Sequence, residues 1–278
     1  MNHTYRLIWN EKTSSWVTVP ENAGSRSKGS GRAIRKKLVG SLLAAGLAIP
    51  LIAADPATTV VPTGGNTNAY ISANGVPVVN INTANAAGLS HNKYTRYNVE
   101  TNGLVLNNGN MSQIERQSQL AGRVAANPNL TNQASVILNE VVSTNRSTLA
   151  GYTEVLGGRA DVVVANPNGI TTNGSGFINT NRVTLTTGTP NIAGDGSLSG
   201  FNVNRGDVII SGLGVDASAQ QVLDIVTRSV KVEGKINTAK DGELGITTGT
   251  NAWDYATRKV TDNTLTAEDA KPSYAIDS

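Results

Sequence analysis

Three consecutive valines, Val162, Val163 and Val164, run almost directly into Asn166, Pro167, Asn168 and Gly169, and the chain then resumes with Ile170. The same Asn-Pro-Asn head recurs at Asn127, Pro128 and Asn129, ahead of Leu130. β-Branched residues favour an extended, pleated backbone. Asn hydrogen-bonds its own main chain, Pro fixes φ near −65°, and Gly accepts positive φ. A chain that twice turns so sharply predicts a solenoid-like β architecture rather than an enzyme pocket.

The pattern beyond these corners agrees. Strands are expected over residues 76–81, 103–106, 135–138, 161–164, 182–185, 207–210, 221–226, 229–232 and 243–246. Turn signals separate them at Asn107-Asn108-Gly109, Gly157-Gly158, Asn173-Gly174, Gly194-Asp195-Gly196 and Asp241-Gly242. No long helical period intervenes, so βαβ units are not expected. Residues 112–120 are read as a short helix. Residues 220–228 fit either period and are assigned to a strand, because β-branched residues dominate and Val230-Lys231-Val232 follows at once. Aromatic residues make up only 4% of the chain, so the core must be assembled from many mid-sized Val, Ile and Leu side chains, as a stack of thin β-layers allows. Strict repeats are absent, but a parallel β-helix requires only that each coil turn a few apolar side chains inward. Asn side chains can then pair between coils in ladders. A β-helix also has an open end, and residues 60–81 are expected to cap it. A β-sandwich is the alternative architecture and would need clearer hairpins.

Chemistry is sparsely represented. The chain has no cysteine, which excludes disulfides, thiolate zinc sites and cysteine nucleophiles. His91 is the only histidine after the leader, and no Gly-x-Ser-x-Gly elbow surrounds a serine. Asp207, Asp216 and Asp224 are scattered and lack calcium-loop spacing, and Gly194-Asp195-Gly196-Ser197 lacks the Lys of a phosphate loop. No catalytic residue, metal or cofactor is expected. A polysaccharide-active β-helix would need its acids gathered along one groove.

The net charge of +3 belongs to the front of the chain. Arg6, Lys12, Arg26, Lys28, Arg32, Arg35, Lys36 and Lys37 outweigh Glu11 and Glu21 there, and the remainder is net acidic, so nucleic acid is not an expected partner. Behind Arg35, Lys36 and Lys37, residues 38–54 form a short apolar run that ends in small residues. That is the build of a secretory signal peptide, with cleavage expected near Ala54, and Ala57 as a second candidate. The run contains Pro50 and is short for a membrane span of about 20 residues. The preceding stretch is unusual for a leader. Through Tyr5, Arg6, Trp9, Asn10, Trp16 and Val17 it resembles the extended signal peptide region of large Gram-negative type V secretion substrates; a small β-hairpin domain is the alternative. The expected division is 1–31 as extended signal region, 32–54 as Sec signal peptide and 55–278 as the exported domain.

Several stretches in order (residues 122–130, 134–142, 151–155, 160–170, 176–180 and 183–188) are similar to the N-terminal secretion domain of two-partner secretion exoproteins, the filamentous haemagglutinin and contact-dependent growth inhibition (CdiA-like) group. One departure is that Thr172 and Ser175 stand where some members carry a cysteine pair. The resemblance implies an all-β fold: a right-handed parallel β-helix with an N-terminal β cap and small extra-helical β elements. It implies passage through the Sec translocon and recognition by the POTRA domains of a TpsB-type outer-membrane β-barrel transporter. Delivery to the cell surface or medium follows, with a cell-surface receptor engaged through downstream regions of an adhesin or toxin parent. The residues it singles out for transporter recognition are Asn127, Pro128, Asn129, Leu130, Asn166, Pro167, Asn168, Gly169 and Ile170. The domain is expected to stop short of the family pattern's C-terminal end. A domain that is itself an adhesin is the alternative function.

Overall fold

A computed structural model of the chain describes residues 5–10, 15–20, 59–264 and 275–276. The signal segment at 32–54 and the cleavage position near Ala54 lie outside the described residues. The chain divides into two units, residues 1–50 and 51–278. In the first, β1 (Tyr5–Asn10) pairs antiparallel with β2 (Ser15–Pro20), placing Trp9 opposite Trp16.

The second unit winds. After β3 (Val60–Pro62), β4 (Asn68–Ile71) and β5 (Pro77–Asn80), the first coil runs through β6 (Leu89–Tyr97) and β7 (Leu104–Asn108). A hairpin of β8 (Glu115–Ser118) and β9 (Gly122–Ala125) follows. The second coil is β10 (Val136–Val141), β11 (Ser147–Leu149) and β12 (Tyr152–Gly157), and the third is β13 (Asp161–Ala165), β14 (Ile170–Thr172) and β15 (Ser175–Ile178). The fourth opens with β16 (Arg182–Thr186), is interrupted by β17 (Thr189–Ile192) and β18 (Leu198–Val203), and closes with β19 (Asp207–Ile210) and β20 (Val215–Ala217). The fifth is β21 (Val222–Thr227), β22 (Ser229–Val232) and β23 (Ile236–Thr238). Then come β24 (Glu243–Thr248), the pair β25 (Asn251–Asp254) and β26 (Lys259–Asp262), and β27 (Ala275–Ile276).

From the second coil to the fifth, each coil contributes one strand to each of three stacked sheets. Sheet I has the order β24-β21-β16-β13-β10-β6-β3, sheet II β11-β14-β19-β22-β27, and sheet III β23-β20-β15-β12-β7-β5-β4. The first coil contributes β6 and β7 and meets sheet II through the Val99–Leu149 bridge. Pairing between successive coils is parallel, for example Ile137 with Val162, Val162 with Val183, and Val183 with Leu223. The second unit is therefore a parallel β-helix of right-handed sense, the hand that parallel crossovers take almost without exception.

Period-two alternation explains the interior. Ile137, Val162, Val183 and Leu223 form one inward row on sheet I, and Val164, Leu185 and Ile225 another; all are buried in one continuous core with Leu106, Ile170 and Val208. Each such side chain contributes about 1.5–3 kcal/mol by burial, so no coil needs a large aromatic. Three aromatics are buried in this core nonetheless: Phe177 on β15 and, on β6 of the first coil, Tyr94 and Tyr97, whose ring centroids lie 5.0 Å apart edge to face.

The cap is formed by β3, antiparallel to β6, and β4, antiparallel to β5. The expected cap of 60–81 ends earlier than the sequence suggested, because β5 already lies parallel to β7 in the ladder. The expected helix at 112–120 is instead the β8–β9 hairpin. Its donors are claimed from outside: Glu154 accepts Ser118 Oγ, Gln119 N and Leu120 N at 2.6, 3.0 and 3.1 Å. The expected turn at Asn107-Asn108 is the end of β7, where both side chains are buried. The Asn ladder is present: Asn107 Nδ2 donates to Asn80 Oδ1 at 2.9 Å, and Asn80 Nδ2 to Asn68 Oδ1 at 3.1 Å.

An antiparallel sheet, β17-β18-β25-β26, covers the outside of sheet I. Phe201, Trp253 and Tyr255 pack there on Leu138, Val163 and Val226. This gives the solenoid a second hydrophobic layer.

Candidate functional site

The two Asn-Pro-Asn corners have one geometry. Asn127 and Asn166 are both fully buried. In each, the side-chain oxygen accepts the backbone N–H two residues on: Asn127 Oδ1 from Asn129 N and Asn166 Oδ1 from Asn168 N, both at 2.9 Å. Proline at the intervening position presets the turn and asks for no donor bond.

Each amide nitrogen then reaches into earlier segments of the chain. Asn127 Nδ2 donates to Ile81 O (2.9 Å) and Asn107 O (2.8 Å). Asn166 Nδ2 donates to Asn145 O and Ser147 Oγ, both at 2.9 Å. The third motif residue repeats the gesture: Asn129 Nδ2 donates to Asn66 O and Asn168 Nδ2 to Ser143 O, both at 2.6 Å. The fourth and fifth positions return the chain to the core. Leu130 and Ile170 are buried in it, and Gly169 between Asn168 and Ile170 has φ +103°. Of the nine, Pro128 alone is exposed; Asn129, Pro167 and Asn168 are half-buried. All nine residues singled out from sequence thus belong to two corners of the same local geometry at different levels of the solenoid: the first follows the β8–β9 hairpin and leads into β10, the second joins β13 to β14. What sequence reasoning missed is their partners, Asn66, Asn107, Ser143, Asn145 and Ser147. These lie 19 to 63 residues away in the chain, and no local pattern marks them.

The three scattered aspartates lie on three different sheets, and each has a partner. Asp207 on sheet II meets Arg146 (Nη1 to Oδ1, 2.5 Å). Asp216 on sheet III accepts Tyr152 Oη at 2.6 Å. Bonding from Ser218 and then Tyr152 holds the Asp216 carboxyl below the usual carboxylate range, and the same contact with Asp216 pushes Tyr152 up. Asp224 on sheet I is nearly inaccessible and lies between Arg182 (3.1 Å) and Arg258 (2.9 Å) under the covering sheet. The Arg182 guanidinium carbon stands 3.9 Å over the Tyr255 ring. Asp161 nearby is pushed up, chiefly by burial. These acids cannot converge on one groove. His91 Nε2 lies 2.7 Å from Glu140 Oε2 on sheet I. No group of three or more His, Cys, Asp or Glu that could hold a metal occurs among the described residues.

Thr172 and Ser175 are buried on either side of the Asn173-Gly174 turn, and neither hydroxyl has a hydrogen-bond partner. Backbone bonds to neighbouring coils hold this turn, from Asn173 N to Leu149 O (2.9 Å) and from Gly174 N to Gly214 O (2.8 Å).

Comparison with known proteins agrees with this geometry. The family model described as TPS secretion domain matches residues 56–278, and that described as Extended Signal Peptide of Type V secretion system matches residues 1–49. Toxin CdiA of Yersinia pestis is 40% identical over 98% of this chain and 8% of its own length. Filamentous hemagglutinin of Bordetella pertussis (strain Tohama I) is 37% identical over 98% of this chain and 8% of its own. The chain therefore spans under a tenth of these curated relatives. A solved structure, the crystal structure of filamentous hemagglutinin secretion domain, superposes with a TM-score of 0.68 at 41% identity, over 77% of this chain and 70% of that one.

Proposed function

The chain belongs to the TPS secretion domain family and carries an extended signal peptide of the type V secretion system; from that premise we propose that it is read, after Sec passage, by the POTRA domains of a TpsB-type outer-membrane transporter. Family membership places the protein among exoproteins exported to the surface or surroundings of Gram-negative bacteria. The role proposed for the domain is secretion, not catalysis. Residues 1–31 would serve as the extended signal region and 32–54 as the signal peptide, with cleavage near Ala54, leaving 55–278 as the secretion domain. The relatives' names, toxin and hemagglutinin, support a toxin or adhesin parent whose activity lies in later regions.

One observation shapes the mechanism. Asn127 and Asn166 are fully buried and spend their amide groups on the fold. A transporter that reads these side chains must do so before the coils close. An extended chain can then add to a receptor's strand edge, with main-chain bonds supplying affinity and alternate side chains specificity. Folding outside, coil on coil, favours outward movement because each coil stabilises the next.

The test is binding of the isolated POTRA domains to the chain held unfolded in mild denaturant and to the same chain after refolding. Binding to the unfolded form alone is expected, weakened by Asn127→Ala and Asn166→Ala. Equal binding of folded and unfolded chain, or secretion of Asn166→Ala at the wild-type level, would remove the assignment.

A further inference from the structure

Asp207 and Asp216 are bonded not by the adjacent coil but by the coil beyond it. Arg146 and Tyr152 lie in the second coil, the two aspartates in the fourth, and the third coil, which carries Asn166, lies between. The register puts Tyr152 opposite Gly176 and Gly176 opposite Asp216. On sheet II, Ser147, Ile170 and Val208 are in line, so Arg146, Gly169 and Asp207 precede them in the same line.

Both clips cross the third coil at a glycine. A Cβ on Gly169 would stand 2.2 Å from Arg146 Nη1 and 2.8 Å from Asp207 Oδ1, and a Cβ on Gly176 would stand 2.3 Å from Tyr152 Cε1. Arg146 also bonds the coil it crosses, through Thr171 Oγ1 at 2.8 Å and Ile170 O at 3.0 Å. Ladder bonds join nearest neighbours only, and a stack held by them alone can open at any interface. A link from second coil to fourth is of another kind, and here there are two, on different sheets.

We infer that these clips are a closing device. They form when the fourth coil docks, and from then on they lock the third coil, with Asn166, inside the stack. The end of the transport-competent state is therefore set by arrival of Asp207 and Asp216, not by formation of β13–β15. The link to export rests on the reading above; the closure itself does not.

Because the chain has no cysteine, one introduced thiol is a unique probe. Ser175→Cys, buried on β15, reports opening of the third coil, and Ser90→Cys, buried on β6, reports the first. In the full chain, Asp207→Asn with Tyr152→Phe should speed thiol labelling at 175 about ten-fold, the scale of one charge-assisted hydrogen bond. Labelling at 90 should change less than about two-fold. Arg146→Lys with Tyr152→Phe, which leaves both aspartates in place, should behave alike. Unchanged labelling at 175, or an equal rise at both positions, would overturn the proposal. Failure of the motif reading would appear elsewhere, as normal secretion of Asn166→Ala with the labelling pattern intact.

Discussion

Asn166 Nδ2 lies 2.9 Å from Ser147 Oγ, and both residues are wholly buried. The bond joins a coil corner to the strand beneath it, and its cost when broken depends on which partner is removed. Ser147→Ala leaves the Asn166 amide its second acceptor, Asn145 O, and should cost about 1 kcal/mol. Asn166→Ala strands Asn145 O, Ser147 Oγ and Asn168 N together and should cost about 2–4 kcal/mol. Denaturant midpoints at unchanged slope would separate the two; equal losses would mean that the corner is not organised by Asn166.

Asp224 is the most deeply committed charge. It receives Arg182 Nε and, across Gly245, Arg258 Nε and Nη2; Arg258 also meets Glu243. Asp224→Ala leaves Arg182, beneath the covering sheet, and Arg258, on its β25–β26 hairpin, without their shared carboxylate. A loss of about 3–5 kcal/mol is expected, read by thermal unfolding, with a fall in the near-ultraviolet signal of Trp253. Replacing Glu243, two-thirds exposed, should change stability by under about 1 kcal/mol.

Much of this was visible in the residues. Val162 to Val164, Asp207 to Ile210 and Ser229 to Val232 announce strands because their β-branched runs are bounded by Asn and Gly, and Val222 to Thr227 is a strand as the β-branched content required. The short strands β11, β14, β20 and β23 were not legible. Each has three residues, two of them polar in all but β20, and its hydrogen-bond partners lie a full coil away. Residues 112–120 misled for a related reason: local propensity allows a helix, and the group that decides against it is Glu154, on another coil. The motif residues could be found by pattern, but their burial could not, since burial belongs to the stack.

Gly169 carries two demands at once, φ +103° and the passage of Arg146. Gly169→Ala should therefore cost about 2–3 kcal/mol. In an Arg146→Ala background the backbone demand and the 2.8 Å approach to Asp207 Oδ1 persist while the tighter clash with Arg146 is gone, so the increment should shrink by about 1 kcal/mol. A double-mutant cycle on unfolding free energies measures this. Strict additivity would show that only backbone conformation matters at this position.

The Tyr152–Asp216 clip should be bounded by pH on both sides. The Asp216 carboxyl is held below its ordinary value, by Ser218 and then by Tyr152. A lowered folded pKa contributes stability that is complete above the unfolded value of about 3.9 and is lost as pH falls through the folded one. The Tyr152 hydroxyl is shifted the other way, chiefly by its bond to Asp216. A raised folded pKa contributes stability that is complete below the unfolded value of about 10 and is lost as pH rises through the folded one. Unfolding free energy of the wild type should thus decline on an acid limb and an alkaline limb. Asp216→Asn should make the acid limb shallower, and Tyr152→Phe should make both limbs shallower, while Asp195, Asp254 and Asp262, also held down, and the buried Tyr94, Tyr97 and Tyr255, also pushed up, keep both limbs in place. Thiol labelling at Ser175→Cys should rise at the alkaline extreme, because the third coil is then held by the Arg146–Asp207 clip alone. A Tyr152→Phe chain with the wild-type profile at both ends would show that the 2.6 Å contact carries no stability.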